Sequence, residues 1–227
     1  MLRAAHQVID RNPKILDDPL AIQLLSAASV EAVRVGDRMQ RPSTRLARSA
    51  ILLGGRFIED ELRAAVDQGV SQCVLLGAGF DSFGYRQPAW ASNLRIIEVD
   101  HPASQQLKRE RLATAGVTVP PNVTFIPIDF EVATLQDGMA DGGFDARWAT
   151  FFAWRGVTQY LTDAAIEVTL RYVLSLPPSS RIALTFILPE ALLGEELDAV
   201  RALSDHGATV GEPWLAERQL HLPIDDN

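Results

Sequence analysis

The chain has almost no cysteine, no long apolar run and no surplus of positive charge, and each lack removes a class of protein. Its single cysteine, Cys73, excludes a disulfide within the chain and fits a reducing, cytoplasmic compartment. Cys73 lies inside an apolar run, where a thiol is an inert core group rather than a nucleophile. No stretch approaches the roughly 20 apolar residues that cross a bilayer, and Met1-Leu2-Arg3-Ala4-Ala5-His6 lacks the apolar centre of a signal peptide, so no membrane partner is expected. Lysine and arginine number 21 against 29 acids, a net charge of −8, which argues against nucleic acid as a partner. The basic run Lys108-Arg109-Glu110-Arg111 is broken by an acid and reads as a solvated helix face. Metal-ligand pairs such as His-x-x-x-His or Cys-x-x-Cys are missing, so no metal is expected. Gly-x-Ser-x-Gly is missing too, which disfavours a serine hydrolase. None of His6, His101, His206 and His221 sits in a base motif, and surface or capping roles are expected.

What is present is enough apolar sequence for a real core. Of 227 residues, 47% are hydrophobic and 22% charged, the balance of an ordinary globular domain. Residues 1–35 have helical character, with Asp17-Asp18-Pro19 as a helix start. Arg41-Pro42-Ser43-Thr44 opens a second helical stretch through Leu46, Ile51, Leu52, Phe57, Ile58 and Leu62. That stretch carries Arg41, Arg45, Arg48 and Arg56, which read either as a solvated face or as containing one carboxylate-binding arginine.

Beyond residue 70, apolar runs alternate with helical stretches. The runs begin at Gln72, at Leu94 (to Asp100), at Val123 (to Asp129), at Arg147 (to Trp154) and at Arg181 (to Leu188). A helix-like segment is expected after the first run, and a helix capped by Thr162 follows the fourth. This alternation predicts an α/β fold with a doubly wound, mostly parallel sheet, in which ligands bind at the carboxyl ends of the strands. Those ends are Gly77 to Asp81, Glu98 to His101, Asp129-Phe130 and Trp154 to Tyr160. Acids closing successive strands are hard to explain as packing. Residues 189–227 start with a helix over Glu195–Leu203 and continue as a polar tail.

The stretch from Gln72 to Asp100 is the most informative. Leu76-Gly77-Ala78-Gly79-Phe80-Asp81-Ser82 breaks a buried strand, and Glu98-Val99-Asp100 closes the next. Glycines let a backbone pass close to a ligand, and an acid twenty-one residues after Gly79 can accept hydrogen bonds from ribose hydroxyls. A dinucleotide fingerprint needs a third glycine, where this chain has Ser82. The loop therefore suits a nucleoside ligand without phosphate and with a cationic amino-acid end, such as S-adenosylmethionine (SAM). A nucleotide-linked oxidoreductase is disfavoured by Ser82.

The pieces Leu16-Asp17-Asp18-Pro19-Leu20-Ala21, Arg56-Phe57-Ile58-Glu59-Asp60, Leu76 to Ser82, Glu98-Val99-Asp100-His101-Pro102, Asp129-Phe130 and Gly156-Val157-Thr158-Gln159-Tyr160-Leu161-Thr162 occur in this order. Together they resemble the leucine carboxyl methyltransferase family, in particular its bacterial SAM-dependent O-methyltransferases, over roughly residues 15 to 215. The resemblance implies a class I, Rossmann-like methyltransferase domain over 1–227, with a helical cap (1–70), a SAM-binding core (71–188) and a helix and irregular tail (189–227). It implies that Gly77, Ala78, Gly79 and Asp81 form the loop against the methionine part of SAM. Asp100 would hold the ribose, with Glu98 as its rival. Asp129 and Phe130 would take the adenine, Tyr160 would stand near methyl transfer, and a cap arginine, Arg45 or Arg48, would meet the SAM carboxylate. The activity implied is O-methylation of a small-molecule carboxylate or hydroxyl; the alternative is a SAM-binding protein without turnover.

Two departures stand out. Arg155 replaces an acid common within Trp-Glu-Gly-Val in the family. The chain also stops where relatives continue into an antiparallel hairpin, so it reads as shortened, with the fifth strand an open edge that a homodimer would cover.

Overall fold

The segment Gln72–Leu76 is buried on both sides, Cys73 and Leu75 facing one way and Val74 and Leu76 the other, so a layer must cover each face. The computed structural model describes residues 1–130, 132–188, 190–194 and 197–209, together with Trp214. Its elements run α1 (Leu2–Ile9), α2 (Leu20–Gln23), α3 (Ala27–Val35), α4 (Pro42–Asp67), β1 (Gln72–Leu76), β2 (Arg95–Asp100), α5 (Pro102–Thr114), β3 (Val123–Pro127), α6 (Leu135–Asp141), β4 (Thr150–Trp154), α7 (Asp163–Leu174), β5 (Arg181–Leu184) and α8 (Leu197–Thr209). The five strands are all parallel, in the order β3-β2-β1-β4-β5. Chain order reverses between β1 and β4, which makes their carboxyl ends a topological switch point. The doubly wound parallel sheet expected from the alternation of runs is therefore observed.

One core layer joins Cys73, Leu75, Ile96, Phe151 and Ala153 of the strands to Ile58, Leu62 and Ala65 of α4. The opposite layer joins Val74, Leu76, Ile97, Val99, Phe152 and Trp154 to Leu135 and Met139 of α6 and to Ile166 and Val173 of α7. Each fully buried leucine or isoleucine contributes about 1.5–3 kcal/mol. Helix starts follow local chemistry. Pro42 opens α4, where a missing N–H costs nothing. Thr162 caps α7 by accepting from the Ala165 N–H at 3.2 Å. The second half of α4 packs on the sheet through Ile58, Leu62 and Ala65.

Several boundaries differ from the sequence expectation. Residues 77–94 contain only single 3-10 turns at Phe83–Tyr85 and Ala89–Ala91, not an α-helix. Pro88 follows closely, and Ser82 and Arg86 are committed to tertiary partners. The fourth strand begins at Thr150, because pairing with β1 starts at Gln72↔Thr150 and Arg147 turns outward to Asp145. The fifth ends at Leu184. There the Thr185 N–H bonds the Trp154 carbonyl (3.0 Å) and its hydroxyl accepts from Gly156 N–H (2.8 Å), pinning the chain at the strand end while Phe186, Ile187 and Leu188 stay exposed. The C-terminal helix runs to Thr209, further than the pattern indicated. Among the described residues β5 has no strand on its outer side. The polar tail expected from Arg218 onward lies outside the described residues. None of the described helices is long and apolar enough to cross a membrane.

Candidate functional site

Strand register aligns the chemistry. Leu76 pairs with Val99 on one side and Trp154 on the other, so Gly77 leaves β1 level with Asp100 and Arg155. Gly77 (φ 62°) and Gly79 (φ 46°) both take left-handed backbone, which side-chain-bearing residues rarely adopt. At Gly77 the reason is also contact: an added Cβ would lie 2.3 Å from Val157 Cγ2 in the loop after β4. Beside Gly79 it would meet nothing closer than 3.9 Å, so the loop backbone is open there. Asp100 holds this loop in place. Its Oδ2 accepts from the Gly79 N–H and its Oδ1 accepts from the His101 N–H at 2.7 Å. Each carboxylate oxygen keeps a second lone pair for another donor.

Asp81 anchors the far end of the loop. It accepts from the Phe83 N–H at 2.8 Å and from Arg155 Nη2 at 2.7 Å. Burial alone would raise its pKa, but Arg155, Arg3 and Lys108 outweigh it and hold the carboxyl well below the ordinary range. Arg155 also donates to the Ile51 carbonyl at 3.2 Å and lies against Gly55 of α4, so one guanidinium ties β4, the loop and the helix together. A second tie is Asp18, fully buried. Its Oδ1 accepts from the Ser82 hydroxyl at 2.6 Å, and its Oδ2 accepts from Arg3 at 2.8 Å. Arg3 continues to the Phe80 carbonyl, and Arg86 bridges Ser82 (3.1 Å) to Glu59.

The remaining sequence candidates fall into two groups. Asp129, Phe130 and Tyr160 stand at the same rim, beyond β3 and β4. Asp129 Oδ2 lies 3.6 Å from His101 Nε2, Phe130 packs against the second core layer, and Tyr160 sits in the 3-10 turn Thr158–Tyr160. Glu98 and Arg48 are elsewhere. Glu98 is 1% exposed, bonded through Oε2 to Lys108 Nζ (2.6 Å) and the Tyr85 hydroxyl (2.9 Å). Burial raises its pKa despite the lowering effect of Lys108 and Tyr85. It is sealed beneath the strand ends, whereas Asp100 stands at the rim beside the glycine loop. Arg48 is 3% exposed and fully engaged, with both Asp10 oxygens (2.8 and 2.9 Å) and the Met39 carbonyl (2.8 Å). Among the described residues, Arg3 and Arg155 reach the loop instead, with Arg86 at its far end on Ser82. Arg45, the other cap arginine, is exposed.

His101 caps α5, its Nδ1 accepting from the Ala103 N–H at 3.2 Å. His6, expected as a surface or capping residue, is buried. It bonds Asp10 through Nδ1 (2.8 Å) and accepts from the Ile15 N–H through Nε2 (3.2 Å). The side chain of His206 and all of His221 lie outside the described residues. Cys73 is wholly buried, and burial with the Asp81 charge raises its pKa, which keeps it an unreactive thiol. Sequence reasoning missed the roles of Arg3, Asp18 and Arg86. Only the Asp17-Asp18-Pro19 helix start marked any of them, and there as a cap.

A family model described as leucine carboxyl methyltransferase matches residues 1–174. A Bacillus subtilis protein named "Putative S-adenosyl-L-methionine-dependent methyltransferase YktD" is 35% identical over 150 residues, covering 66% of this chain and 47% of that protein. The similarly named Rv3787c of Mycobacterium tuberculosis is 30% identical over 228 residues, covering 92% of this chain and 70% of its own length. The chain thus spans about half the length of the first relative and more of the second. Among solved structures, a DUF574 family protein from Streptomyces avermitilis superposes with TM-score 0.59 at 17% identity, covering 96% of this chain and 78% of that one. The crystal structure of "a putative methyltransferase" from Thermobifida fusca superposes with TM-score 0.56 at 19% identity, covering 85% of this chain and 72% of that one. At those identities the likeness is one of fold, and the fold is the class I methyltransferase type.

Proposed function

The chain belongs to the leucine carboxyl methyltransferase family, and from that premise we propose that it is a SAM-dependent methyltransferase acting on an oxygen of a small-molecule acceptor. The observation that carries this reading is the union of a bare glycine loop and an open acid at the switch point: Gly77 and Gly79 in left-handed backbone, with Asp100 level beside them.

The residues fit the cofactor. Asp100, already oriented by two backbone N–H groups, would accept from the ribose hydroxyls through its remaining lone pairs. The open backbone at Gly79 would lie along the methionine part, and Asp129 with Phe130 would take the adenine. When bound, SAM supplies a methyl group activated on a sulfonium. The chain itself contributes alignment and exclusion of water. None of the histidines described with side chains stands free as a base: His6 is sealed among Asp10 and Ile15, and His101 serves as a helix cap. A carboxylate acceptor, which needs no base, suits this arrangement better than a hydroxyl.

The alternative, binding without turnover, draws on Arg155, a cation paired with Asp81 at the position where the family resemblance leads one to expect an acid. Calorimetric titration with S-adenosylhomocysteine, followed by single-turnover assays with methyl-labelled SAM and a panel of carboxylic acids, separates the two. Micromolar binding with label transferred to an acid supports the enzyme. Binding with no transfer to any member of the panel supports the alternative, and no binding by the folded protein removes both.

A further inference from the structure

A cavity of about 590 Å³ opens between α1, the start of α4, the glycine loop and α8. Its volume is in the range of small-molecule sites, about 300–1,000 Å³. The interior is apolar, with Met39, Ile51 and Phe80 in its wall and Leu203 of α8 closing one side. Its side-chain cations are Arg3, Arg38 and Arg41, with Met1, which carries the chain's terminal amine, also in the wall, and no acidic side chain lines it among the described residues. In a chain with a net charge of −8, that concentration of one sign runs against the average.

The three arginines are not equivalent. Arg3 is spent on Asp18, Ser82 and the Phe80 carbonyl. Arg38 and Arg41 are exposed and make no side-chain hydrogen bond or ion pair among the described residues. Both precede the 26-residue α4, whose first turn reaches the cavity through Ser43 and Thr44 and adds the partial positive charge of unsatisfied N–H groups. Uncommitted positive charge at the rim and an apolar wall behind it form a complementary surface for one kind of molecule.

The geometry points to a binding site for a small molecule with an apolar body and one anionic group, the anion held at Arg38 and Arg41 and the body laid against Met39, Ile51 and Phe80. Phe80 belongs to both this cavity and the glycine loop, so the ligand would lie beside the bound cofactor. That this ligand is the methyl acceptor rests on the function proposed above; that it binds does not.

The test is calorimetric titration with decanoate, decan-1-ol and decyltrimethylammonium below their aggregation concentrations, alongside S-adenosylhomocysteine. One decanoate is expected to bind about tenfold or more tightly than decan-1-ol, as charge-assisted contacts require, with the cation weakest. The double variant Arg38→Gln/Arg41→Gln changes only exposed side chains. It should lose about tenfold in decanoate affinity while decan-1-ol and S-adenosylhomocysteine bind as before. Ile51→Trp, which fills the cavity from a part-exposed position, should weaken all three of these long-chain probes. Equal binding of decanoate and decan-1-ol, or unchanged decanoate binding by the double variant, overturns the inference. S-adenosylhomocysteine binding with no decanoate binding overturns it and leaves the cofactor reading intact. Decanoate binding without S-adenosylhomocysteine binding upholds the site and removes its role in methyl transfer.

Discussion

Glu98 and Asp100 stand two residues apart on β2, and their surroundings could hardly differ more. Glu98 is sealed under the strand, with Lys108, also buried, bonded to one oxygen, and its Oε1 has no hydrogen-bond partner among the described residues. Asp100 closes the strand at the open rim, and both its oxygens accept backbone N–H groups while facing the glycine loop. The same chemical group is thus a structural charge in one region and a candidate ligand contact in the other. Depth along the strand sets the difference. A carboxylate taken out of water requires a fixed counter-charge, whereas one at a strand end keeps lone pairs for an incoming molecule.

That contrast makes predictions that can be ranked. The largest effect belongs to the sealed region. Lys108→Met leaves Glu98 buried without its counter-charge and should destabilise the fold by about 3–5 kcal/mol, read as a lower urea midpoint. Glu98→Gln combined with Lys108→Met should recover most of that loss. A single variant as stable as wild type would mean that the pair is not sealed. At the rim the pattern should invert. Asp100→Asn keeps an acceptor for the Gly79 N–H but loses the charge, so the urea midpoint should move little. Affinity for S-adenosylhomocysteine should fall by about 1.5–3 kcal/mol in a calorimetric titration. Unchanged affinity would remove Asp100 from the ribose.

The smallest effect lies between the two regions, at Asp81. Its folded-state pKa is depressed, so its contribution is present above the ordinary carboxylate value of about 3.9 and is lost as pH falls below it, where the unfolded chain takes up the proton first. Wild type should therefore exceed Asp81→Asn in stability by roughly 1–2 kcal/mol at pH 7, with the gap closing toward pH 3. A gap that stays constant over that interval would show that Arg155 gains nothing from the charge of Asp81.

Much of this was legible before folding. Runs buried on both faces, with glycines after the first and an acid after the second, led to a parallel sheet with a site at its carboxyl ends. The glycine loop, Asp100 and Asp129 lie at or just beyond the carboxyl ends of β1, β2 and β3, as the pattern of runs indicated. Arg48 is instead buried on Asp10, because an arginine on a helical stretch carries no mark of its partner; Asp10 lies 38 residues away, beyond α2 and α3. The helix expected after the glycine loop fails for a related cause. Ser82 and Arg86 have local helical spacing, but Asp18, 64 positions from Ser82, and Glu59, 27 from Arg86, take their side chains instead.

The sequence by itself determined the alternation, the parallel sheet and the carboxyl ends of β1, β2 and β4, because hydrophobic period and glycine conformation are local properties that act before distant segments meet. Only the tertiary structure decided which acid faces a ligand, which arginine reaches the loop, and that Arg3 and Asp18 fasten α1 to it. Those outcomes depend on burial and on charge pairs formed between residues far apart in the chain, and both exist only once the layers have closed.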